Sequence, residues 1–438
     1  MENKTKKKLW NKDFILLWQG QLVSYLGDVI YSFALSFWVL EVTGSTALMG
    51  MVTAVSMAPR LILGPLAGVW VDKWDRKKII VICDLIRGII LTYIGVAAFM
   101  GILKIWMVFA AGISSSICSA FFGPAVTSVK PDLVDSEEIV RANSITSFSQ
   151  AGSSALGSMA GGVIYAFAGA PYMFLFDGIS YLISAFTEVF INVPKTQRKE
   201  KKLTFKEDFK EGFSFIWNLK AFRTTFVICS AVNFFANAAF VLMVPMFNQS
   251  AFLGVKRYGI AMAVASIGMM AGSVITGIVN VKPKYRYMAM AGSFLVESVI
   301  CLFLPVVKSF WPIVVFAPIS CGLNMVGNTV FDSVCMIIIP EDKRGKVFSL
   351  IQTFSMGLTP IGIAVGGVLG QVIPVRMAMF ILLFITLIIS AGFLVIRPIK
   401  TLFNYDPEKE SLEEMMMRSN LQFAGNKKIL KIKESQEM

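Results

Sequence analysis

The chain has no histidine among its 438 residues. That removes the commonest acid/base catalyst and metal ligand from any mechanism. Charged residues are scarce too, at 16% against 55% hydrophobic residues. The six cysteines, Cys83, Cys118, Cys229, Cys301, Cys321 and Cys335, lie in or beside apolar segments with no metal-ligand spacing. They read as small buried residues, neither disulfides nor metal ligands. No Walker-type glycine loop is present, which argues against ATP as energy source, and no nucleophile–histidine pair can be drawn. The sequence therefore points to no cofactor, no metal and no enzyme. The lysines near the N-terminus run into a long apolar segment with no small-residue cleavage site, as in a retained first helix rather than a signal peptide.

What is abundant is apolar sequence. A helix of about 20 apolar residues crosses the ~30 Å hydrocarbon core of a bilayer. Such runs are expected at 14–40, 47–71, 79–101, 105–128, 140–168, 171–192, 224–247, 258–280, 288–306, 311–337, 347–372 and 375–397. The net charge of +13 does not indicate nucleic acid, because of where it sits. Thirty-four of the 41 Lys and Arg fall in the tails and alternate loops that would share one side of this arrangement. Only Lys104, Lys256, Arg257, Lys308 and Arg376 fall on the other, with Arg60 and Arg87 inside spans. This positive-inside asymmetry places both termini in the cytoplasm of a multi-pass cell-membrane protein.

The chain then divides into a cytoplasmic tail (1–12), a six-helix bundle (13–192), a basic linker (193–223), a second six-helix bundle (224–398) and a C-terminal cytoplasmic tail (399–438). In the linker, Phe205, Phe209, Phe213, Ile216 and Trp217 recur with helical spacing, as in an amphipathic helix on the inner leaflet. The two halves echo each other at an offset of 205, with Gly152, Gly157 and Gly161-Gly162 opposite Gly357, Gly362 and Gly366-Gly367. Parallel six-helix repeats are characteristic of transporters built from two moving halves.

Intramembrane charges are the candidate functional groups, because they are costly in lipid. Asp28, Asp177 and Glu297 are the candidate proton carriers, with Asp28 first. The alternative for Asp28 is a structural acid held by a polar neighbour. Arg60, after Pro59, is a charge partner for such an acid or a residue that snorkels to the interface. Asp84 and Arg87 have the spacing of a same-face ion pair, and Glu188 and Asp332 read as structural. Aromatic and amide residues at Phe33, Phe37, Trp38, Phe121, Asn233, Asn237 and Asn324 are candidates to line a pocket for a bulky amphipathic ligand. Packing against lipid or neighbouring helices competes with that reading.

The most specific local sequence runs from Gly64 through Gly68 and Val71-Asp72-Lys73-Trp74-Asp75-Arg76-Lys77-Lys78. It resembles the G-x-x-x-D-[RK]-x-G-R-[RK] loop signature of the major facilitator superfamily. Asp75 stands where glycine is usual, which is similar to macrolide-efflux-type members. Gly27-Asp28, Thr43-Gly44-Ser45, Asp84-Leu-Ile-Arg87, Phe122-Gly-Pro-Ala125, Arg141-Ala-Asn143 and Arg344-Gly-Lys-Val-Phe-Ser349 extend the likeness over most of the chain. The resemblance implies an all-α membrane fold of twelve transmembrane helices in two pseudo-symmetric bundles. It assigns Gly68, Asp72, Lys73, Arg76 and Lys77 to a conformational latch, with Gly64 and Gly68 forming a small-residue packing face. Gly157-Ser-Met-Ala-Gly161-Gly162 resembles the antiporter motif G-P-x-x-G-G with Ser158 in place of proline. A helix seam smoothed by small residues explains the same pattern.

The implied protein is a secondary active exporter of amphipathic small molecules, of macrolide or multidrug type, working as a monomer by proton antiport and alternating access. Its partners would be its cargo, protons and the bilayer, with no nucleic acid. An exporter or flippase of a siderophore or lysophospholipid is the alternative in the same fold, and a non-transporting receptor or scaffold the alternative outside it.

Overall fold

A computed structural model describes residues 9–135, 138–193, 213–214, 216–217, 219–250, 252–279, 281–339, 347, 350–351 and 357–423. The side chains of Asp72 and Lys73, linker residues Phe205 and Phe209, and most of the Arg344–Ser349 segment lie outside the described residues. Every described element is a helix: α1 (Lys12–Thr43), α2 (Thr46–Lys73), α3 (Arg76–Phe99), α4 (Ile105–Leu133), α5 (Ile139–Ala168), α6 (Ala170–Glu188), α7 (Lys220–Phe240), α8 (Met243–Asn248), α9 (Gly254–Ile278), α10 (Pro283–Phe303), α11 (Phe310–Ile338), α12 (Thr359–Val372), α13 (Val375–Val395), α14 (Arg397–Phe403) and α15 (Leu412–Phe423). Among the described residues nine candidate spans are long and apolar enough to cross a membrane. The helices α5 and α6 are long enough, but serines, threonines and Asp177 dilute their apolar character. Large apolar side chains such as Ile62, Ile89, Phe167, Phe186 and Ile388 are exposed, as lipid-facing surfaces require.

The short motifs turn out to be helix punctuation. In Thr43-Gly44-Ser45, Gly44 takes φ 62° and its N–H donates to Leu40 O, closing α1. The next residue, Ser45, accepts from Leu48 N at 3.2 Å and opens α2. One left-handed glycine followed by an N-cap serine connects the two helices in two residues. Likewise Asp75, at the position where the loop signature usually has glycine, accepts from Lys78 N at 3.2 Å and caps α3.

Packing divides the chain into two units. The first comprises residues 1–200, 241–266 and 363–375; the second comprises 201–240, 267–362 and 376–438.

In the first unit, glycines set how closely helices approach. A Cβ at Gly88 or Gly95 would meet Leu182 or Leu175, and one at Gly178 would meet Thr92, so α3 and α6 pack backbone to backbone. Gly20 and Gly27 do the same for α1 against α6, where a Cβ at Gly27 would run into the Asp177 carboxylate. Two apolar clusters, one around Phe37, Val39 and Phe174 and one around Phe14, Leu17 and Ile80, fill the unit.

In the second unit, Gly268 and Gly272 of α9 lie against Pro318 and Gly322 of α11. Its core gathers Phe294, Val334 and Phe393. Part of the segment expected as a tail belongs to this core: Phe403 and Met415 are buried in it, and Arg286 donates to Tyr405 O at 3.2 Å. Ile216 of the linker is also buried there, while Phe213 stacks on Trp217 at 5.2 Å.

Candidate functional site

The polar stretches of α1, α4 and α5 converge on a cavity of about 400 Å³ inside the first unit. Helical spacing explains the convergence. Gln21, Ser24, Tyr25 and Asp28 follow one another at steps of three, one and three along α1, as do Asn143, Thr146, Ser147 and Gln150 along α5. Residues at those steps share one face of a helix. The α4 face adds Ser119, Phe122, Thr127 and Lys130, while Arg60 of α2, Arg87 of α3 and Tyr181 of α6 complete the wall.

Asp28 is exposed on this wall, so its carboxylate faces the cavity rather than the packed interior. It accepts a hydrogen bond from the Tyr181 hydroxyl at 2.7 Å. That hydroxyl accepts one from Arg87 Nη1 at 2.9 Å. Tyr181 thus relays between an acid on α1 and a guanidinium on α3. Arg87 is fixed further by the Ser115 carbonyl, at 3.3 Å from Nε and 3.4 Å from Nη2. The rings of Tyr181 and Phe122 lie 4.9 and 5.6 Å from its guanidinium carbon. The expected Asp84–Arg87 pair is present at 4.0 Å. Behind the wall, Asp84, Asp177 and Glu188 are fully buried, with Ser184 beside Asp84 and Glu188 and Ser180 beside Asp177. Asp177 and Glu188 are within electrostatic reach of Arg87. One buried guanidinium therefore serves four nearby acids.

Other sequence candidates are dispersed. Arg60 shares the cavity wall with Asp28. Glu297 lies in the second unit, where Asn324 Nδ2 donates to both its oxygens at 2.9 and 3.0 Å, and Asn328 donates to Asn324 Oδ1 at 2.8 Å. Asn324 is thus the clamp on Glu297. On α7, Asn237 Nδ2 donates to the Asn233 carbonyl at 2.8 Å. Phe33 and Phe37 do not line the cavity: they are buried, stack at 4.9 Å, and pack on Tyr165 and Tyr258. Trp38 packs edge-on to Phe174, and Phe121 stacks with Trp70 and Trp74. These aromatic residues are partners of one another.

Of the loop residues, Arg76 pairs with Asp132 at the end of α4, at 3.1 Å and largely shielded from solvent. Lys77 is half-buried. The close packing expected at Gly64 and Gly68 is not found, since a Cβ at either would meet no described atom within 4 Å. The Gly157, Gly161 and Gly162 series is a seam. Cβ atoms there would press on Val29, on the Phe33 ring, and on Gly259 Cα at 3.0 Å. A Cβ at Gly367, the repeat counterpart of Gly162, would meet Gly50 Cα at the same 3.0 Å. Nearby, Thr46 donates to Gly367 O at 2.8 Å and its N–H to Gln371 Oε1 at 3.0 Å.

Sequence reading missed Tyr181, Gln21, Lys130 and Gln150. Tyr181 follows Asp177 by one helical turn, and Gln21 and Gln150 continue polar stripes, so a search for polar rather than apolar periodicity would have found them.

A helical membrane protein with a polar cavity walled by intramembrane charges has the architecture of a membrane transporter. The family model of the Major Facilitator Superfamily matches residues 17–360, and the chain belongs to that superfamily. Macrolide efflux protein A of Streptococcus pyogenes is 24% identical over 363 residues, covering 81% of this chain and 88% of that protein. The putative bacilysin exporter BacE of Bacillus amyloliquefaciens is 26% identical over 408 residues, covering 88% and 93%. Among solved structures, a bacterial homologue of the iron transporter ferroportin in its inward-facing state superposes with a TM-score of 0.68, at 16% identity, over 87% of this chain and 98% of that one.

Proposed function

We propose that the protein is a secondary active exporter of amphipathic small molecules across the cytoplasmic membrane, driven by proton antiport through alternating access. The observation that carries this reading is the Asp28–Tyr181–Arg87 chain on the cavity wall. A carboxylate open to the cavity and hydrogen-bonded to a tyrosine can take up and release a proton at Oδ2. Protonation removes the negative charge that Tyr181 and Arg87 face and so changes the electrostatics felt by cargo. A proton and a cargo that compete for one wall give exchange without ATP. Export as the direction is supported by the efflux and exporter names of relatives. The same cavity suits an endogenous cargo such as a siderophore or lysophospholipid. Asp177 and the Glu297–Asn324 pair are the second and third candidates for coupling. The test is reconstitution in proteoliposomes with an imposed pH gradient and a panel of macrolides, dyes and lysolipids. Uphill movement of none of them, at any gradient, refutes the exporter.

Orientation follows from charge: both termini and the 195–202 segment are placed inside. A cysteine introduced at Lys199 is expected to resist an impermeant maleimide added to intact cells, and one at Lys308 to react. Labelling of Lys199→Cys from outside inverts the topology.

The latch reading assigns Gly68, Asp72, Lys73, Arg76 and Lys77 to holding one of the two conformations. The partly shielded Arg76–Asp132 pair supports it, since a pair held away from water loses more when one partner is removed than an exposed pair does. Arg76→Ala is expected to lower transport roughly tenfold or more with normal expression, because a few kcal/mol decides a two-state balance. Wild-type efflux by a well-expressed Arg76→Ala protein removes the latch.

A further inference from the structure

The geometry points to an anion-binding cavity in the first unit, so that the cargo is an amphipath with an anionic headgroup. This assignment rests on the exporter reading for its cargo, but on the cavity alone for its chemistry. The wall carries three cations, Arg60, Arg87 and Lys130, against one carboxylate, Asp28. Behind the wall Asp84, Asp177 and Glu188 surround Arg87 and offset its charge, so the cationic excess that faces the cavity is Arg60 and Lys130 against Asp28. Arg87 is occupied by Tyr181, Ser115 and Asp84, and Asp28 by Tyr181.

The other two cations have capacity to spare. Arg60 is exposed on the wall, and its guanidinium makes no hydrogen bond to a described residue; only its backbone N–H does, to Ser116 Oγ at 3.1 Å. It sits about 22 Å along α2 from its start at 1.5 Å per residue, inside the candidate span Thr46–Gly64. A guanidinium at that depth is costly unless an anion or water meets it. Lys130 Nζ spends one of its three donors on Thr146 Oγ1 at 3.1 Å. A second, independent sign comes from Gln21, which is 3% exposed, lines the cavity, and has an amide nitrogen without a hydrogen-bond partner among the described residues. A donor left open in this way suits an acceptor oxygen. Guanidinium, ammonium and amide donors around a cavity of about 400 Å³ match the several oxygens of a phosphate or carboxylate. Such a headgroup would be met by Arg60 in the fork geometry and by Lys130 as a point charge.

The test uses the full-length purified protein, with binding followed by calorimetry and octyl phosphate, inorganic phosphate and octyltrimethylammonium as probes. Octyl phosphate is expected to bind more tightly than octyltrimethylammonium. Arg60→Gln and Lys130→Gln should each weaken octyl phosphate roughly tenfold, Arg60→Lys, which keeps the charge and loses the fork, should fall between wild type and Arg60→Gln, and none of them should weaken octyltrimethylammonium. Competition by inorganic phosphate at similar concentration identifies a free anion as the ligand; competition by octyl phosphate alone identifies an amphipath's headgroup. Arg60 is exposed, so its glutamine variant is expected to fold. Tighter binding of the cation, or unchanged octyl phosphate affinity in Arg60→Gln, overturns the assignment. Selective octyl phosphate binding with no gradient-driven movement of any probe in proteoliposomes supports the anion cavity and refutes the exporter instead.

Discussion

Asp28→Asn is expected to bind cargo and equilibrate it downhill, yet to lose accumulation driven by a pH gradient by roughly tenfold or more. Asparagine keeps the size of the side chain and an oxygen to accept from Tyr181, whose hydroxyl lies 2.7 Å from Oδ1. It cannot exchange a proton. The Tyr181–Arg87 contact at 2.9 Å therefore survives, and with it the packing of α3 against α6. The variant resembles a carrier fixed in its protonated form. Proton uptake by liposomes, measured alongside cargo accumulation, separates coupling from binding. Tyr181→Phe gives a useful contrast, because it leaves the acid in place and removes only its link to Arg87. It should slow transport without making it independent of the gradient. Wild-type accumulation and proton movement by Asp28→Asn return Asp28 to a structural role. The search then passes to Asp177, buried behind the same wall, and to Glu297 in the other unit.

Apolar runs and helix punctuation made the helices readable from sequence, because membrane crossing imposes length and composition directly. Gly44 and Ser45 marked a turn, and Asp75 a helix start, for purely local reasons. The site was partly readable. Asp28 and Arg60 are rare residues for their depth, and the structure puts both on one wall. Tyr181 escaped because tyrosine in an apolar helix is ordinary, and only the tertiary fold brings its hydroxyl to Asp28. Phe33 and Phe37 have the composition of a drug pocket, yet Tyr165 and Tyr258 cover them. Which face of an apolar helix meets lipid, core or cavity depends on partners far along the chain. Arg76 was visible as a motif residue, but its partner Asp132, 56 residues away, was not.

A valine at Gly259 is expected to abolish transport while leaving a folded, inserted protein. The Cβ it adds would lie 2.7 Å from Ser158 O and 2.9 Å from Gly162 Cα. Those are backbone atoms, so no side chain can swing away, and α5 and α9 must separate at this level. Ser154 and Ser266, whose hydroxyls are 3.2 Å apart farther along the same seam, would lose their contact as well. Forcing a close-packed seam apart costs about 1–3 kcal/mol, sometimes more. On the alternating-access reading this seam closes once in every cycle, and a shift of about 1–3 kcal/mol tilts a balanced two-state equilibrium by roughly 5- to 150-fold. The repeat provides a second variant for the same argument. Gly367 is the counterpart of Gly162, and its Cβ would lie 2.7 Å from Thr46 O and 3.0 Å from Gly50 Cα. Gly367→Val should therefore reproduce the defect, whereas Gly292→Val, where an added Cβ would meet no described atom within 4 Å and which lies outside the cavity wall, offers a control for added bulk at a glycine. The measurement is initial efflux rate together with the reactivity of a cysteine placed on the cavity wall at Ser147. Lost efflux with altered Ser147→Cys labelling in both seam variants identifies the glycines as the contact that must close, and full efflux by Gly259→Val would show that the seam stays open throughout the working cycle.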